Sequence, residues 1–386
     1  MKETKTTRII DLVSRIFVGL VFLFSSFVKG VDPMGTSFKI QEYMTAWSLG
    51  SLSFEWALPF ATFLAMALVT VEFTIGVLLI TNAHRKLTAW LLMLMMVFFT
   101  VTTLYDAITN KVTDCGCFGD FIKLTNWQTF AKNVVLMVPT VIIFLCRRWH
   151  CRRRFERDSL IMIFAIVAMV IFGLYNIGNE PCLDFRAWKV GNQMIPFSDG
   201  NNEVKSYVTY KNKNTGETIE FESSKLMEYL ADSAWAATWE WQDSRVEDPF
   251  EIQADGFSML GLDNEDNAKE IIGSTDPVLI ATIHHIDKVD DRGADALKAV
   301  HKFAVENKLN IVLLTCALPE ETEAFLARNG LEEMMYYFAD ATAIETMVRS
   351  NPGFILLKDA KVMGKWHYRN ADKLINDYDF AAVALP

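Results

Sequence analysis

Residues 147–178 read RRWHCRRRFERDSLIMIFAIVAMVIFGLYNIG, and the junction inside this stretch decides the architecture. Six arginines, Arg147, Arg148, Arg152, Arg153, Arg154 and Arg157, run into an uncharged apolar window at 159–178. About 20 apolar residues in a helix cross the roughly 30 Å of bilayer hydrocarbon. Short loops rich in Lys and Arg stay in the cytoplasm. The stretch therefore reads as a span that starts at a cytoplasmic basic loop and delivers everything after Gly178 to the far side.

Four further windows lie upstream, approximately 9–29, 56–81, 87–106 and 128–146. The first has no small-x-small cleavage site after Val28 and is read as a retained helix, not a secretory signal. Lys2, Lys5, Arg8 and Arg15 precede or open it, and Arg85 and Lys86 fall between the second and third windows. Five spans place these groups and the arginine loop on one side, whereas four or six would separate them. Trp47, Trp56, Trp90, Trp127 and Trp149 stand at or near window ends, as an interfacial belt requires. The expectation is a bacterial inner-membrane protein with a cytoplasmic amino terminus. Loops 30–55 and 107–127 and the region after residue 178 then face the periplasm.

Composition agrees. Hydrophobic residues make up 51% of the chain and the mean hydropathy is +0.18, high for a wholly soluble protein. Residues 1–178 hold 17 Lys+Arg against 11 Asp+Glu, and residues 179–386 hold 20 against 36. The net charge of −10 thus joins a basic half to an acidic one, and the acidic exterior half argues against nucleic acid as a partner.

Past Gly178 the pattern changes to alternating strands and turns. Residues 204–221, VKSYVTYKNKNTGETIEF, read as a hairpin around an Asn-Thr-Gly turn. From about 276 the order is strand (Pro277–Ile286), helix (Ala294–Asn307), strand (Asn310–Cys316), helix (Glu320–Arg328), strand (Met334–Phe338) and short helix (Ile344–Val348). Strands at Gly353–Leu357 and Lys361–Trp366 close the series. The chain accordingly divides into a transmembrane helical domain at 1–178, a β-rich connecting segment at 179–275 and a soluble α/β domain at 276–386. With Asn351-Pro352 directly before Gly353–Leu357, the last domain resembles the thioredoxin fold, and the resemblance implies a cis-proline at Pro352. Where a Cys-x-x-Cys would follow the first strand, the chain reads His284-His285-Ile286-Asp287-Lys288-Val289. The resemblance therefore implies a domain that binds without dithiol chemistry. Adjacent strand residues face opposite sides, so His284 and His285 are read as one packed and one exposed, not as a metal pair.

Of six cysteines, Cys146 and Cys151 lie near the cytoplasmic face, while Cys115, Cys117, Cys182 and Cys316 fall on the exterior side, where disulfides persist. Cys115 and Cys117 stand in Asp114-Cys-Gly-Cys-Phe-Gly-Asp120. A Cys-x-Cys bridge closes a small ring that departs from relaxed disulfide geometry, which favours exchange over a static staple. Cys182, just past the last span, reads either as a resolving partner or as a lone thiol. Cys316, ending a strand, reads as a small hydrophobe.

The membrane half resembles the DoxX and methylamine-utilisation MauE group over approximately residues 8–147. The likeness rests on Arg15, Phe24-Ser25-Ser26, Lys29-Gly30, Asp32-Pro33, Glu72 with Gly76, Cys115-Gly-Cys117-Phe-Gly, and Trp127 with Asn133. It implies the formation or handling of disulfides in exported proteins, with electrons passed to a membrane quinone. The alternative is a non-catalytic scaffold that binds exported partners or stabilises a membrane complex. Glu72, inside a span, reads as paired with Lys29 or Lys132 or as a proton relay. Lys29 and Asp106, near span ends, read as snorkelling. The chain carries no nucleotide loop, haem-attachment motif or zinc spacing.

Overall fold

The computed structural model describes residues 4–47, 54–112, 116, 119, 121–122, 124–148, 155–196, 204–254 and 256–376. Five helices in its first half are long and apolar enough to cross a membrane: Lys5–Val31, Trp56–Thr81, Arg85–Thr109, Asn126–Leu145 and Phe155–Gly178. They fall within a few residues of the expected windows. We label the helices α1 (Lys5–Val31), α2 (Pro33–Ala46), α3 (Ala61–Thr81), α4 (Arg85–Thr109), α5 (Asn126–Leu145) and α6 (Phe155–Gly178). Thr4 and Thr125 cap α1 and α5 through reciprocal side-chain bonds with Thr7 and Gln128. Asn82 and Asn110 close α3 and α4 in the left-handed conformation that asparagine tolerates.

The bundle is held by close approach and by buried polar pairs. A Cβ on Gly19 would lie 3.2 Å from the Gly76 carbonyl, and one on Gly76 would lie 3.1 Å from the Gly19 carbonyl. The two glycines thus let the α1 and α3 backbones touch, which favours helix association in lipid. Arg15 donates to Asp11 and to the Leu79 carbonyl, and Arg85 meets the other oxygen of Asp11 at 2.7 Å. Val18, Phe22, Ile75, Leu92, Met96 and Ile143 fill the core between these groups. Leu94, Val135 and Phe164 point outward and are exposed, as a lipid-facing surface requires.

Helix α2 is the element that the sequence reading, which leaves 30–55 as a loop, does not contain. Asp32 accepts from the Gly35 amide at 2.9 Å, and Pro33 takes the first helical position, where its missing N–H is no loss. Its 14 residues carry no apolar stripe at helical spacing, so periodicity does not mark it.

Beyond the bundle, β1 (Lys205–Asn212) and β2 (Thr218–Glu222) form the expected hairpin. The strand β3 (Trp239–Glu247) pairs antiparallel with the other side of β1. Helices α7 (Leu226–Ala231) and α8 (Ser233–Thr238) connect β2 to β3, and α9 (Ala268–Ile272) precedes the larger sheet. That sheet holds β4 (Val278–Ile283), β5 (Asn310–Thr315), β6 (Tyr336–Phe338), β7 (Gly353–Lys358) and β8 (Lys361–His367), in the order β6-β5-β4-β7-β8. Its helices are α10 (Asp291–Glu306), α11 (Pro319–Asn329), α12 (Ala341–Met347) and α13 (Ala371–Asn376). Strands β4, β5 and β6 run parallel, β7 is antiparallel to β4, and β8 is antiparallel to β7. The succession of strands and helices is the one the sequence reading expects, and the Asn351–Pro352 peptide is cis.

Every residue of β4 is buried, because both faces of this central strand are covered. Leu279, Ala281 and Ile283 meet α10, α11 and α13 through Leu297, Val300, Phe325 and Leu374. Val278 and Ile280 face the other way, onto Trp188, Met194, Ile252, Phe257, Met259 and Ile272. This second layer comes from the segment assigned to a connector, so the packed core of the α/β domain begins well before residue 276. The layer arrives through loops without periodicity, which is why sequence pattern does not reveal it.

Candidate functional site

A cavity of about 1260 Å³ opens where the bundle meets the soluble half. Helix α2, the loop between α4 and α5, residues 181–186 and α12 all contribute to its wall. Phe38, Tyr43, Trp47, Phe99 and Phe185 make much of that wall aromatic. Leu64 and Phe98, on α3 and α4, line it as well and are exposed, so the cavity reaches the surface where the spans would meet lipid. The buried indole Nε1 of Trp47 and the buried Nη1 of Arg186, both on lining residues, have no hydrogen-bond partner among the described residues.

The soluble half is clasped to the bundle at this place. Arg349 Nε donates to the two Asp32 oxygens at 3.1 and 2.9 Å, Nη2 reaches Oδ2 at 2.6 Å, and Nη1 donates to the Glu345 carbonyl. Gly35 is needed here, since a Cβ would lie 2.5 Å from Asp32 Oδ2 and 2.7 Å from Arg349 Nη2. Burial pushes the Asp32 carboxyl up, but Arg349 and Arg186 outweigh it and hold the group below the usual carboxylate range. The Arg349 guanidinium also lies over the Phe38 ring, and Phe38 meets the His284 ring edge-on with centroids 6.1 Å apart.

A second charged group fastens the linker. Arg186 donates to Asp184 at 2.7 Å and to Glu180 at 3.2 Å, and Lys365 of β8 donates to Asp184 at 2.7 Å. Burial and then Arg186 push the Lys365 amine down to about 8, although Glu180 and Asp184 oppose that shift. Burial likewise pushes Glu345, on the cavity wall, up to about 7 against the pull of Arg349 and Lys288. A carboxyl that titrates near neutrality in a cleft is equipped for proton transfer.

At the inner end of the cavity, Lys29 Nζ lies 2.8 and 3.0 Å from the two Glu72 oxygens, and Ser25 Oγ lies 3.4 Å from one of them. Both side chains are buried, so Lys29 does not snorkel; its ammonium turns inward to the carboxylate. Asp106 does not snorkel either. It is buried and accepts from the Tyr43 hydroxyl at 2.8 Å, because α2 folds back over the end of α4. Asn133 ties α5 to α4 by donating to Thr103 Oγ1 at 3.1 Å and to the Phe99 carbonyl.

Cys115, Cys117 and Cys151 lie outside the described residues, as does Trp149. Gly116 and Gly119, which flank Cys117, line the cavity with φ of 59° and 51°. Cys182 is exposed between Pro181 and Leu183, two cavity residues, and its amide is held by Asn176. Cys316 is exposed, not a packed hydrophobe. Strand β5 ends one residue earlier, and the thiol turns to the His284 carbonyl at 3.0 Å. His284 is buried, and burial lowers its imidazole to about 3, so it stays neutral. His285 is half-buried. Asn351 beside Pro352 accepts from both histidine amides and donates to the His285 carbonyl.

Sequence reading finds Lys29, Glu72, Gly116 and Gly119; Lys29 and the two glycines line the cavity, and Glu72 lies behind Lys29 as its partner. It does not find Asp32 with Arg349, the linker charges or Glu345. Their partners are too distant in sequence for spacing to show.

Residues 7–146 match the model of the family described as methylamine utilisation protein MauE. The match covers the membrane half up to the end of α5. Protein TlpB of Flavobacterium psychrophilum is 22% identical over 193 residues, which is 48% of this chain. The matched part is 46% of that protein, so the chain spans less than half the length of the curated relative it matches. No solved structure matches the chain.

Proposed function

We propose that the protein is a membrane thiol–disulfide exchanger for exported proteins, with Cys115 and Cys117 as the exchanging pair. The observation that carries this reading is the position of Gly116 and Gly119 on the lining of a large cavity. The basic clusters support a cytoplasmic amino terminus and a periplasmic cavity mouth, with the inner membrane as the location. In the exchange, a client thiolate attacks one sulfur of the Cys115–Cys117 disulfide and a mixed disulfide forms. The second client thiolate then displaces the loop sulfur, leaving a client disulfide and a loop dithiol.

Re-oxidation of the dithiol needs an acceptor, and the cavity residues fit a quinone head. Aromatic walls, the unpartnered donors on Trp47 and Arg186, and the approach past Leu64 and Phe98 suit a flat, neutral, lipid-borne molecule with carbonyl oxygens. Such a group, when bound, supplies a sink for the two electrons and two protons that the dithiol gives up. Lys29 lines the cavity and is paired with Glu72 behind it, so a proton can be held there.

One observation favours the scaffold reading. The end of the soluble domain that carries His284 and Pro352 packs against α2, so this domain fastens the halves together. Trapping separates the two readings. With Cys115→Ser or Cys117→Ser in the full chain, the remaining cysteine should accumulate reductant-sensitive mixed disulfides with exported clients, at unchanged abundance. Full activity in both variants with no trapped partner would replace exchange by scaffolding.

A further inference from the structure

Beside the Lys29–Glu72 pair the bundle holds a second, smaller space. It is a chamber of about 30 Å³ between α1, α3, α4 and α5, and its polar wall is Ser25, Lys29, Glu72, Lys132 and Asn133. Lys29 and Phe99 line both this chamber and the large cavity, so their side chains form the partition between the two. A water molecule needs roughly 10–15 Å³ and two to four polar partners, and this wall supplies both. Glu72 holds Lys29 Nζ at 2.8 and 3.0 Å, and Ser25 Oγ reaches the same carboxylate at 3.4 Å. Asn133 is fixed by its bonds to Thr103 Oγ1 and the Phe99 carbonyl. Lys132 is half-buried and stands about 9 Å along α5 from Asn126, a distance that a long side chain spans much of. Among the described residues, Lys29, Glu72 and Lys132 are the charged side chains on the chamber wall.

We propose that this chamber holds water and makes the Lys29–Glu72 pair a proton donor to the cavity, with Lys132 as the source. This rests on reading the cavity as the place where a lipid-borne acceptor is reduced. Lys29 Nζ gives a proton to an acceptor oxygen in the cavity and is left as an amine that still donates to Glu72. Chamber water then gives Lys29 a proton and takes one from the Lys132 ammonium. Lys132 regains its proton at the end of α5 that the proposed orientation places outside. The net result is one proton passed from Lys132 to the acceptor, and no electron travels along the path. Ionisable groups inside spans are costly, and a pair that only pinned α1 to α3 would need neither the chamber nor a third charge on its wall.

The test uses the full chain in detergent and has two arms. In the first, short radiolytic pulses generate hydroxyl radicals from bound water, and methionine oxidation is read by mass spectrometry. Met96 lines the chamber and is 1% exposed, whereas Met169 is 3% exposed and lines neither space. Met96 should oxidise several-fold faster than Met169. Leu136→Phe, which fills the chamber, should remove the difference. Should that variant not accumulate, Ser25→Val, which takes away a polar partner, should reduce the difference. Equal protection of Met96 and Met169 in the native chain means a dry chamber and overturns the proposal.

In the second arm the reduced protein is given a short-tailed quinone. Turnover is followed by quinone absorbance, and binding by quenching of tryptophan fluorescence. Lys132→Met should slow turnover about a hundredfold, the low end of what a positioned proton donor contributes, with binding unchanged. Lys132→Arg should stay slow, because a guanidinium keeps the charge but does not give up its proton. Native turnover in Lys132→Met, or full recovery in Lys132→Arg, would reject Lys132 as the source. If the native chain reduces no quinone, the acceptor reading fails and the proton role falls with it, while Met96 still decides whether the chamber is wet.

Discussion

Lys29→Met tests what holds the bundle beneath the cavity. In the native protein both Glu72 oxygens lie within 3.0 Å of Lys29 Nζ, with side-chain exposures of 8% and 3%. Removing the ammonium leaves the carboxylate with the Ser25 hydroxyl at 3.4 Å, a poor replacement for a charge. Breaking one side of a buried pair costs about 3–5 kcal/mol, since the remaining ion is uncompensated. Loss of the contact between Lys29 and the Phe99 ring, at 5.6 Å, adds about 0.5–1 kcal/mol. At roughly 2–4 °C per kcal/mol, Lys29→Met should melt about 10 °C below the native protein in detergent. The double variant Lys29→Met/Glu72→Gln buries no charge and should recover most of that loss. Melting followed by intrinsic fluorescence on the four proteins gives the coupling, which should be about 2 kcal/mol or more. If the single and double variants melt alike, or if Lys29→Met costs under about 1 kcal/mol, Glu72 does not depend on Lys29 and the pairing argument is wrong. A proton relay has another signature: Glu72→Gln alone would hold the melting temperature and lose exchange turnover.

Arg349→Gln should loosen the clasp between the halves. Charge-assisted hydrogen bonds are worth about 1.5–3 kcal/mol, so deuterium exchange in α2 and α12 should rise about tenfold or more, with the β4–β5 core unchanged. Gly35→Ala should reproduce the effect from the other side through its collision with Asp32 and Arg349, and native protection in both variants would deny the clasp any role. Glu345→Gln should change the pH dependence of stability in one window only. The folded chain binds the Glu345 proton up to about 7, above the unfolded carboxyl near 4.5, so its contribution is full below 4.5 and is lost as pH rises through 7. The variant should be flatter than the native protein between those values, and parallel curves would mean that Glu345 is not protonated by its site.

The spans, the hairpin and the succession of strands and helices that builds the larger sheet were legible because each is a local pattern repeated over many residues. Long apolar runs, alternating strands and basic clusters survive without any knowledge of partners. Glu72 was legible for the opposite reason, as one charge in an apolar run, and Lys29 was among its expected partners. The position of Lys29 near a span end gave a false lead, because snorkelling and inward pairing place a lysine at the same depth. Asp32 and Arg349 are 317 residues apart, and neither stands out in its own neighbourhood. Helix α2 is short, and its capping pair Asp32-Pro33 appeared only as part of a resemblance. Strand β3 is exposed along nearly its whole length and so lacks the alternation that marks a half-buried strand.

The placement of the soluble domain narrows where exchange can occur. The thioredoxin resemblance implies that a dithiol would act at the end of the sheet beside Pro352, and here several backbone and side-chain groups are already engaged. The amides of His284 and His285 are bonded to Asn351, and the Cys316 thiol is bonded to the His284 carbonyl. Burial keeps the Cys316 thiol protonated beyond its ordinary range, so it is a weak nucleophile at neutral pH. Phe38 of α2 covers His284, and Arg349 next to Pro352 is clamped to Asp32. A client could approach this edge only by displacing the bundle's own helix. The same contacts carry Thr342, Glu345 and Arg349 over the cavity that Gly116 and Gly119 line. The soluble domain thereby roofs the cavity, and a ligand in that cavity would touch both halves of the chain at once.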